Sequence, residues 1–465
     1  MIGVAPAWLA FMFGWHIAMV NLGIGLAWLV PYIRNRAAKE NDAELERIAR
    51  SLMRFYAATY GLAGVFGTAF TVFLLSYYPG FVGMAGHIAL IPFAISILMI
   101  ALHFFSIIAY WYGWDRWSLK AHNLIGLGLG ISALLIPFGF RGVFAFLNIP
   151  AGLQVSVTSG GIKYGLDLGA AIFSNPTTIP LYIKSIVAAF TVTFFAVMGG
   201  YAYRYLTAGS EEDRRVAARA MRLVAKPAAV GAVLMIFLGF WYALSLENVP
   251  YKFNNVFASL GWKTGPDPTP YYNVAWLFVV KMLFFAVQLA AAALVVPRIL
   301  RGEKLTEGQL RLLFAAGIAA VLTVPLGEYL NAFSQYPFFI AAWPDVLAGH
   351  VTVQQLVADY GVKVTPASAL PAVIERVNSV VLVDGAGSSA VDVLKSLVSH
   401  YPDNAYFRAL EAAAETSVNE IAVIPAVVYL TFGFILFLTL SAIYLLYIVL
   451  SPRKEAAVAT AVAEE

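Results

Sequence analysis

Cysteine is absent from this chain, which limits the cross-links and the cofactor sites that it can form. None of the 465 residues is a cysteine. Disulfides, iron–sulfur clusters and every metal or cofactor site that depends on a thiolate are therefore excluded. Any cofactor must be held by histidine, methionine, lysine or a carboxylate.

Charged side chains are also scarce. They make up 12% of the sequence, whereas apolar residues make up 61%. Soluble domains contain about 25% charged residues, because their surface must face water. Most of this protein's surface must therefore face lipid. The net charge of +4 arises from Lys and Arg in loops between apolar runs. This is the pattern of membrane topology, and it does not indicate nucleic-acid binding.

Long apolar runs occur along most of the chain. A helix needs roughly 20 apolar residues to cross a hydrocarbon core of about 30 Å. The sequence therefore predicts an all-α integral membrane protein with about nine transmembrane helices. These lie near 7–32, 55–78, 85–112, 122–147, 178–206, 223–246, 271–297, 309–333 and 421–450.

The basic residues predict which side each loop faces. The connections after spans one, three, five and seven, together with the C-terminal tail, hold most of the 30 Lys and Arg residues. The positive-inside rule places these segments in the cytoplasm. We therefore expect a multi-pass protein of the cell membrane with its N-terminus outside and its C-terminus inside.

The connections suggest a division of the chain. We expect 148–177 to be irregular, because it is rich in Gly and Ser, and we expect the apolar periodicity of 341–420 to form outer helices. No internal repeat is evident, so one common sign of transporters is missing. The predicted units are a first four-helix bundle (1–147), a second (148–340) with a short outer loop (247–270), an outer insertion (341–420), and a ninth helix with its tail (421–465).

A few ionisable residues fall inside the predicted spans, where they are costly and mark sites or buried pairs. His16 can either bind iron or bridge helices by hydrogen bonds. Glu328 can pair with a base or carry a proton. Lys184 and Lys281 can extend to the headgroups or meet a buried anionic partner. The set is His16, His103, His122, Lys184, Lys281 and Glu328. On these residues alone, a haem protein and a transporter coupled through Glu328 and Lys281 both stay open.

Four motifs follow one another along the chain: "WHIAMVNLGIGLAW", "GLAGVFGTAF", "YGWDRWSLKAHNLIGLGLGISALLI" and "NPTTIPLYIKSIVAAFTV". Their order resembles that of a known family, subunit I of cytochrome bd-type quinol oxidases. The resemblance covers roughly 8–340 and 421–450. It implies haem b or haem d as cofactor, a second multi-span membrane subunit as partner, and quinol or a cytochrome as electron donor.

The resemblance also implies roles for individual residues. His16 matches the axial histidine of a high-spin haem, and Asp115 in "GWDR" matches an acid at the cytoplasmic mouth of a proton path. Met282 aligns with the methionine that ligates the low-spin haem b. From Asp115, the path would pass to His103, because a histidine can relay protons near neutral pH.

Several positions depart from the family pattern. Lys184 stands where the second low-spin haem ligand is a histidine. Ile95 and His103 replace two glutamates of the proton path. Ala332 takes the place of a haem-ligating glutamate, with Glu328 one helical turn earlier as a shifted candidate. The quinol-binding outer loop is shortened to 247–270.

Three hypotheses follow. The first is a divergent subunit of a respiratory electron-transfer complex that binds haem through His16 and passes electrons toward oxygen. Its enlarged outer segment, 341–420, would dock the donor or another subunit. The second is a haem-free membrane anchor related to such subunits. The third is a secondary transporter.

Overall fold

The structure, a computed structural model, describes residues 4–383 and 387–420 together with positions 433, 436 and 440. Within these residues, eight helices are long and apolar enough to cross a membrane. The prediction of a helical, multi-spanning membrane protein is confirmed. The ninth predicted span, 421–450, lies outside the described residues except at those three positions.

The helices follow one another with few interruptions. In chain order they are α1 (Val4–Glu40), α2 (Ala43–Tyr77), α3 (Pro79–Ile88), α4 (Leu90–Tyr112), α5 (Leu119–Asn148), α6 (Leu168–Phe173), α7 (Thr178–Thr207), α8 (Glu211–Ser245), α9 (Pro250–Phe257), α10 (Ala275–Leu294), α11 (Val296–Arg301), α12 (Glu307–Gln335), α13 (Ala342–Leu347), α14 (Val353–Ala358), α15 (Leu370–Val383), α16 (Gly387–His400) and α17 (Ala405–Glu420). Short 3-10 turns occupy Leu246–Asn248, Ala258–Leu260 and Ala367–Ala369.

Two of the spanning helices begin about twelve residues before the apolar runs that predicted them. The Asp42 side chain accepts hydrogen bonds from the backbone N–H groups of Glu44 and Leu45 at the start of α2. At the start of α8, the Ser210 side chain accepts a hydrogen bond from the backbone N–H group of Asp213. Such caps satisfy backbone donors that have no partner inside the helix. The helices can therefore extend beyond the apolar run into a polar region.

The extended ends are joined by ion pairs between distant segments. Arg47 lies 2.6 Å from Asp213, Arg50 lies 2.6 Å from Asp115, and Arg215 lies 2.6 Å from Glu44. Arg219 pairs with both Asp42 and Glu44. We call this set the basic-end network. It connects the starts of α2 and α8 and the end of α4.

The opposite end carries a small sheet that the sequence did not predict. Strand β1 (Leu153–Thr158) pairs antiparallel with β2 (Gly161–Leu166) and parallel with β3 (Lys363–Thr365), in the order β2-β1-β3. The expectation of irregular structure in 148–177 was therefore wrong. Leu153 and Val155 are buried beneath the sheet, whereas Gln154 and Ser156 are exposed, which is the alternation of a half-buried strand.

The predicted loop 247–270 is largely helical. Every residue of α9 is buried, and the helix packs against α10, α12 and α13. Lys252 lies within this buried helix and is 1% exposed. The segment 247–270 therefore packs as a further layer on the membrane helices.

Helix α1 lies at the centre of the bundle. It packs against α2, α5, α7 and α12, so it joins the two halves that the sequence suggested. Helices α7 and α12 approach closely where Gly199 faces Gly317. A Cβ atom added at Gly199 would lie 3.0 Å from the Cα of Gly317. Small residues at such crossings allow membrane helices to pack tightly.

Candidate functional site

A large cavity lies between α1, α2, α4, α5 and the end of α12. Its volume is about 960 Å³, and its wall is mostly apolar, with a few polar side chains. This is the upper part of the size range of pockets that hold cofactors and other small molecules. His16, His103 and Ala332 are among the lining residues. The structure therefore brings together three positions that the sequence singled out.

The His16 imidazole has one nitrogen bonded and one nitrogen available. Its Nδ1 lies 2.9 Å from the carbonyl oxygen of Ala63. A carbonyl oxygen can only accept, so Nδ1 carries the proton and Nε2 keeps its lone pair. The α2 helix accommodates the ring at Gly67, where an added Cβ would lie 2.8 Å from His16 Cε1. His16 thus presents the tautomer that binds metals.

His103 is held by a directed chain of hydrogen bonds. The Ser132 hydroxyl donates to the carbonyl oxygen of Gly128 at 2.8 Å, so its Oγ accepts from Nδ1 of His103 at 2.9 Å. The other nitrogen, Nε2, accepts from the Tyr56 hydroxyl at 2.6 Å. His103 is 3% exposed and lines the cavity. Tyr56, His103 and Ser132 therefore form a continuous Tyr–His–Ser chain, of which His103 lines the cavity.

Asp115 lies at the polar end of α4, in the wall of a separate surface pocket of about 420 Å³. The Arg50 guanidinium bonds both of its carboxylate oxygens, at 2.7 and 2.6 Å, and this contact lowers the pKa of the carboxyl. Met53 on α2 also lines this pocket. One turn further along α2, Tyr56 contacts His103. The pocket and the Tyr–His–Ser chain therefore lie next to each other along α2.

Glu328 has a partner that the sequence analysis missed. Arg141 on α5 donates to both of its oxygens, at 2.7 and 3.3 Å. Both side chains are about 9% exposed, and Arg141 also lines the cavity. A bidentate geometry is the strongest arrangement of such a pair. Arg141 could have been noticed as the single cation inside the apolar run "LLIPFGFRGVFAFLN".

Lys184 lies beside an aromatic ring and other charged groups, and its role as a haem ligand with Met282 stays a prediction. The Lys184 ammonium lies 4.1 Å from the centre of the Tyr242 ring, and it interacts electrostatically with Lys281 and Arg141. No hydrogen bond, ion pair or ring contact of the described residues joins Lys184 to Met282. Lys281 lies against Gly327, beside Glu328. The two lysines therefore belong to the charged group around Glu328.

Lys252 is a second residue that the sequence analysis missed. Its amino group donates to Asn148 Oδ1 and Asn331 Oδ1 at 2.6 Å and to Gln335 Oε1 at 3.4 Å. Asn331 and Gln335 line the cavity. Burial lowers the pKa of Lys252 to about 7. The sequence does not indicate these contacts, because Lys252 lies in a segment that the sequence predicts to be a loop.

The fold and the site define a class: multi-pass helical membrane proteins with a histidine-lined cavity inside the bundle. Comparison with known proteins gives the family. The family described as cytochrome bd terminal oxidase subunit I matches residues 5–260. This chain belongs to that family, as the motifs suggested.

Two relatives illustrate the distance within the family. A Bacillus subtilis (strain 168) protein named "Putative cytochrome bd menaquinol oxidase subunit I" is 28% identical over 203 residues, which cover 43% of this chain and 44% of the relative. The bd oxidase structure from Geobacillus thermodenitrificans matches with a TM-score of 0.59 and 17% identity. That match covers 90% of this chain and 99% of the other. It supports the fold alone.

Members of this family generally bind haem, so the cavity can be tested for that group. His16 fits the role of an iron ligand, because its free Nε2 lies in a cavity of sufficient size. Ala332 lines the same cavity and has no ligating atom. The Lys184 amino group lies against the Tyr242 ring, and the roles of Lys184 and Met282 as ligands of another haem stay predictions. The described residues around this cavity therefore fit a group that is ligated by His16.

Proposed function

We propose that this chain is a divergent subunit I of a membrane respiratory electron-transfer complex, with haem b or haem d bound through His16. Electrons would pass from quinol or a cytochrome toward oxygen. The observation that carries the proposal is the free Nε2 of His16 in a cavity of about 960 Å³. Family membership supports it. The partner would be a second multi-span subunit, docked in the same membrane.

The orientation follows from the charges. The basic-end network contains the loops that the positive-inside rule assigns to the cytoplasm. We therefore place the N-terminus outside, with the sheet and the outer helices on that side. The segment 341–420 would dock the donor or another subunit there. A deletion variant that lacks 341–420 should lose complex assembly or donor oxidation, and retention of both would contradict this assignment.

A bound haem would supply one-electron transfer, and the chain's own residues would position it and move protons. The His16 Nε2 would hold the iron. Asp115 and Arg50 lie at the pocket on the basic end, and the Tyr56 hydroxyl connects that side to His103. Transfer of the Tyr56 proton to Nε2 of His103 would leave an imidazolium that lines the cavity, with its Nδ1–H still bonded to Ser132. A proton from the basic end would then restore the Tyr56 hydroxyl. We therefore expect His103 to hold a proton at the cavity wall.

The experiment that tests haem binding is a dithionite-reduced minus oxidised spectrum with haem extraction, on the purified chain and on His16→Ala. We expect haem in the parent and its loss in the variant. His87→Ala is the matched control, because His87 is exposed on α3 and should leave the spectrum unchanged. A colourless parent, or an unchanged spectrum in His16→Ala, would contradict the proposal.

The relay has its own test. Tyr56→Phe removes only the hydroxyl that meets His103, so oxygen uptake should fall by about tenfold or more while reduction by dithionite is unaffected. His103→Ala should behave in the same way. Tyr60→Phe is the control, since its ring lies 5.3 Å from the His103 ring and the change keeps that ring. Unchanged turnover in His103→Ala would rule out the relay.

A haem-free membrane anchor is the second candidate. It is favoured by Ala332 at the place of a ligating glutamate and by the Lys184 contact with Tyr242. The same spectrum decides between the two, since the anchor would be colourless. The bidentate Arg141 contact engages Glu328, so the structure adds nothing in favour of a transporter. Flux measurements in proteoliposomes would separate an anchor from a transporter.

A further inference from the structure

Three polar side chains lie toward one end of the cavity, whose wall is otherwise mostly apolar. Arg141, Asn331 and Gln335 line this end, where α5 and α12 meet the outer segments. Arg141 donates through its two terminal nitrogens to Glu328. Each of these nitrogens carries a second N–H, and Arg141 is among the residues that line the cavity. We call Arg141, Asn331 and Gln335, with Lys252 behind them, the outer wall.

Lys252 adds a positive charge to the outer wall, and no carboxylate of the described residues contacts it. Its three hydrogen-bond acceptors are the amide oxygens of Asn148, Asn331 and Gln335. They satisfy the three donors of an ammonium group without adding negative charge. Glu328 acts on Lys252 electrostatically, but Arg141 already pairs with it. A buried cation of this kind is costly unless an anion comes close.

The same contacts fix the orientation of the amides. The Asn331 Oδ1 faces Lys252, so its Nδ2 must point away from that cation. No hydrogen bond of the described residues uses Asn331 Nδ2, and Asn331 lines the cavity. Gln335 differs, because its Nε2 donates to the carbonyl oxygens of Leu147 and Phe339. Asn331 therefore offers a free donor toward the cavity.

We propose that the outer wall binds a carboxylate group of the molecule that occupies the cavity. Asn331 Nδ2 and the Arg141 guanidinium would donate to the carboxylate, and Lys252 would supply the balancing charge. The apolar remainder of the cavity would hold the body of the same molecule. This inference rests on the proposed haem function, because haem combines a large apolar ring with two carboxylates. The inference names the outer-wall residues that would favour a ligand with free carboxylates over its ester.

The test compares protohaemin with its dimethyl ester, which has the same ring and iron but no carboxylates. Both are titrated into the haem-depleted full chain in detergent at pH 6, where Lys252 is protonated. Binding is followed by the absorbance of the bound haem. We expect the diacid to bind about tenfold or more tightly than the ester, since hydrogen bonds to charged groups are strong.

Three variants assign that preference to the outer wall. Asn331→Asp keeps an oxygen for Lys252 and so preserves the fold, but it places a like charge before the carboxylate. It should abolish or invert the preference. Lys252→Met should reduce it. Lys263→Met is the matched control, because Lys263 is exposed in the same outer region, and it should retain the full preference.

The outcomes separate this inference from the function on which it rests. Equal affinity for diacid and ester in the parent, or an unchanged preference in Asn331→Asp, would overturn the carboxylate wall. Haem binding through His16 would still stand if His16→Ala lost both ligands. Failure of the parent to bind either ligand would overturn the proposed function and the outer wall together.

Discussion

Ion pairs of this protein lie in two contrasting environments, one that reaches water and one that is buried inside the helix bundle. The comparison shows which ion pairs should contribute most to stability. The basic-end network lies where side chains reach water: Arg215 is 67% exposed and Arg47 is 40% exposed. The Arg141–Glu328 pair lies inside the bundle at about 9% exposure. Exposed pairs contribute little stability, whereas loss of one partner from a buried pair leaves an uncompensated charge.

The largest effect should come from breaking the buried pair. Glu328→Gln leaves Arg141 buried without its partner and removes the anion near Lys184 and Lys281. We expect a loss of about 3–5 kcal/mol in the free energy of unfolding, measured by denaturant titration in detergent. A loss below about 1 kcal/mol would mean that water or another group reaches the pair. In that case the contrast between the two settings would not hold.

Lys252 should give a pH dependence that the exposed network lacks. Burial lowers its folded pKa to about 7, below the value of about 10.4 in an unfolded chain. Between these pH values the unfolded chain binds more protons, so stability should rise from pH 7 to pH 10. The slope from one group is at most about 1.4 kcal/mol per pH unit. Below pH 7 the contribution is constant.

The measurement is the difference in unfolding free energy between the parent and Lys252→Met at pH 6, 8 and 9.5. The unfolding free energy of the parent should increase relative to that of Lys252→Met as the pH increases. A constant difference would show that the three amide oxygens hold the proton in the folded state across the whole range. Lys263→Met is again the control, and it should give no such trend.

Replacing both members of the buried pair should cost less than replacing Glu328 alone. Arg141→Met combined with Glu328→Leu removes both charges of the pair, while Lys184 and Lys281 lose the same nearby anion as in Glu328→Gln. The double variant should therefore be more stable than Glu328→Gln, in which Arg141 also stays buried without its partner. A double-mutant cycle with the two single variants measures the coupling. A double variant as unstable as the singles would point to packing instead of charge.

The smallest effect should come from the exposed network. Arg215→Ala removes the contact with Glu44 and should change the unfolding free energy by no more than about 1 kcal/mol. The small difference should shrink further in high salt, since exposed charges are screened. A salt-independent loss of several kcal/mol in the unfolding free energy would show that the Arg215–Glu44 pair behaves like the buried Arg141–Glu328 pair. Arg214→Ala, also exposed and on the same helix, provides a comparison.

Much of the fold was predictable from the sequence, because span positions depend on local apolar content. The site was predictable only in part. His16 and Glu328 stood out as ionisable residues inside spans, but the partner of Glu328 comes from α5, 187 residues away. The contacts of Lys252 span 104 residues to Asn148 and 79 to Asn331. Tertiary packing brings these groups together, and no spacing in the sequence encodes it.

The missed hairpin teaches a different lesson. The segment "LQVSVTSGGIKYGL" alternates apolar and polar residues on both sides of a Ser-Gly-Gly turn, which is a hairpin signal. Its Gly and Ser content suggested irregular structure instead. The parallel partner β3 lies about 200 residues later, and only the folded chain could reveal it.

Helix α1 is longer than the hydrocarbon core of a membrane is thick. At 37 residues, this helix measures about 55 Å, whereas the hydrocarbon core is about 30 Å thick. Helices α2 and α8 each have 35 residues, and their long ends project on the same side. The bundle therefore carries a rigid charged platform beyond the lipid surface. Soluble proteins and salt can reach this platform directly, without contact with the membrane.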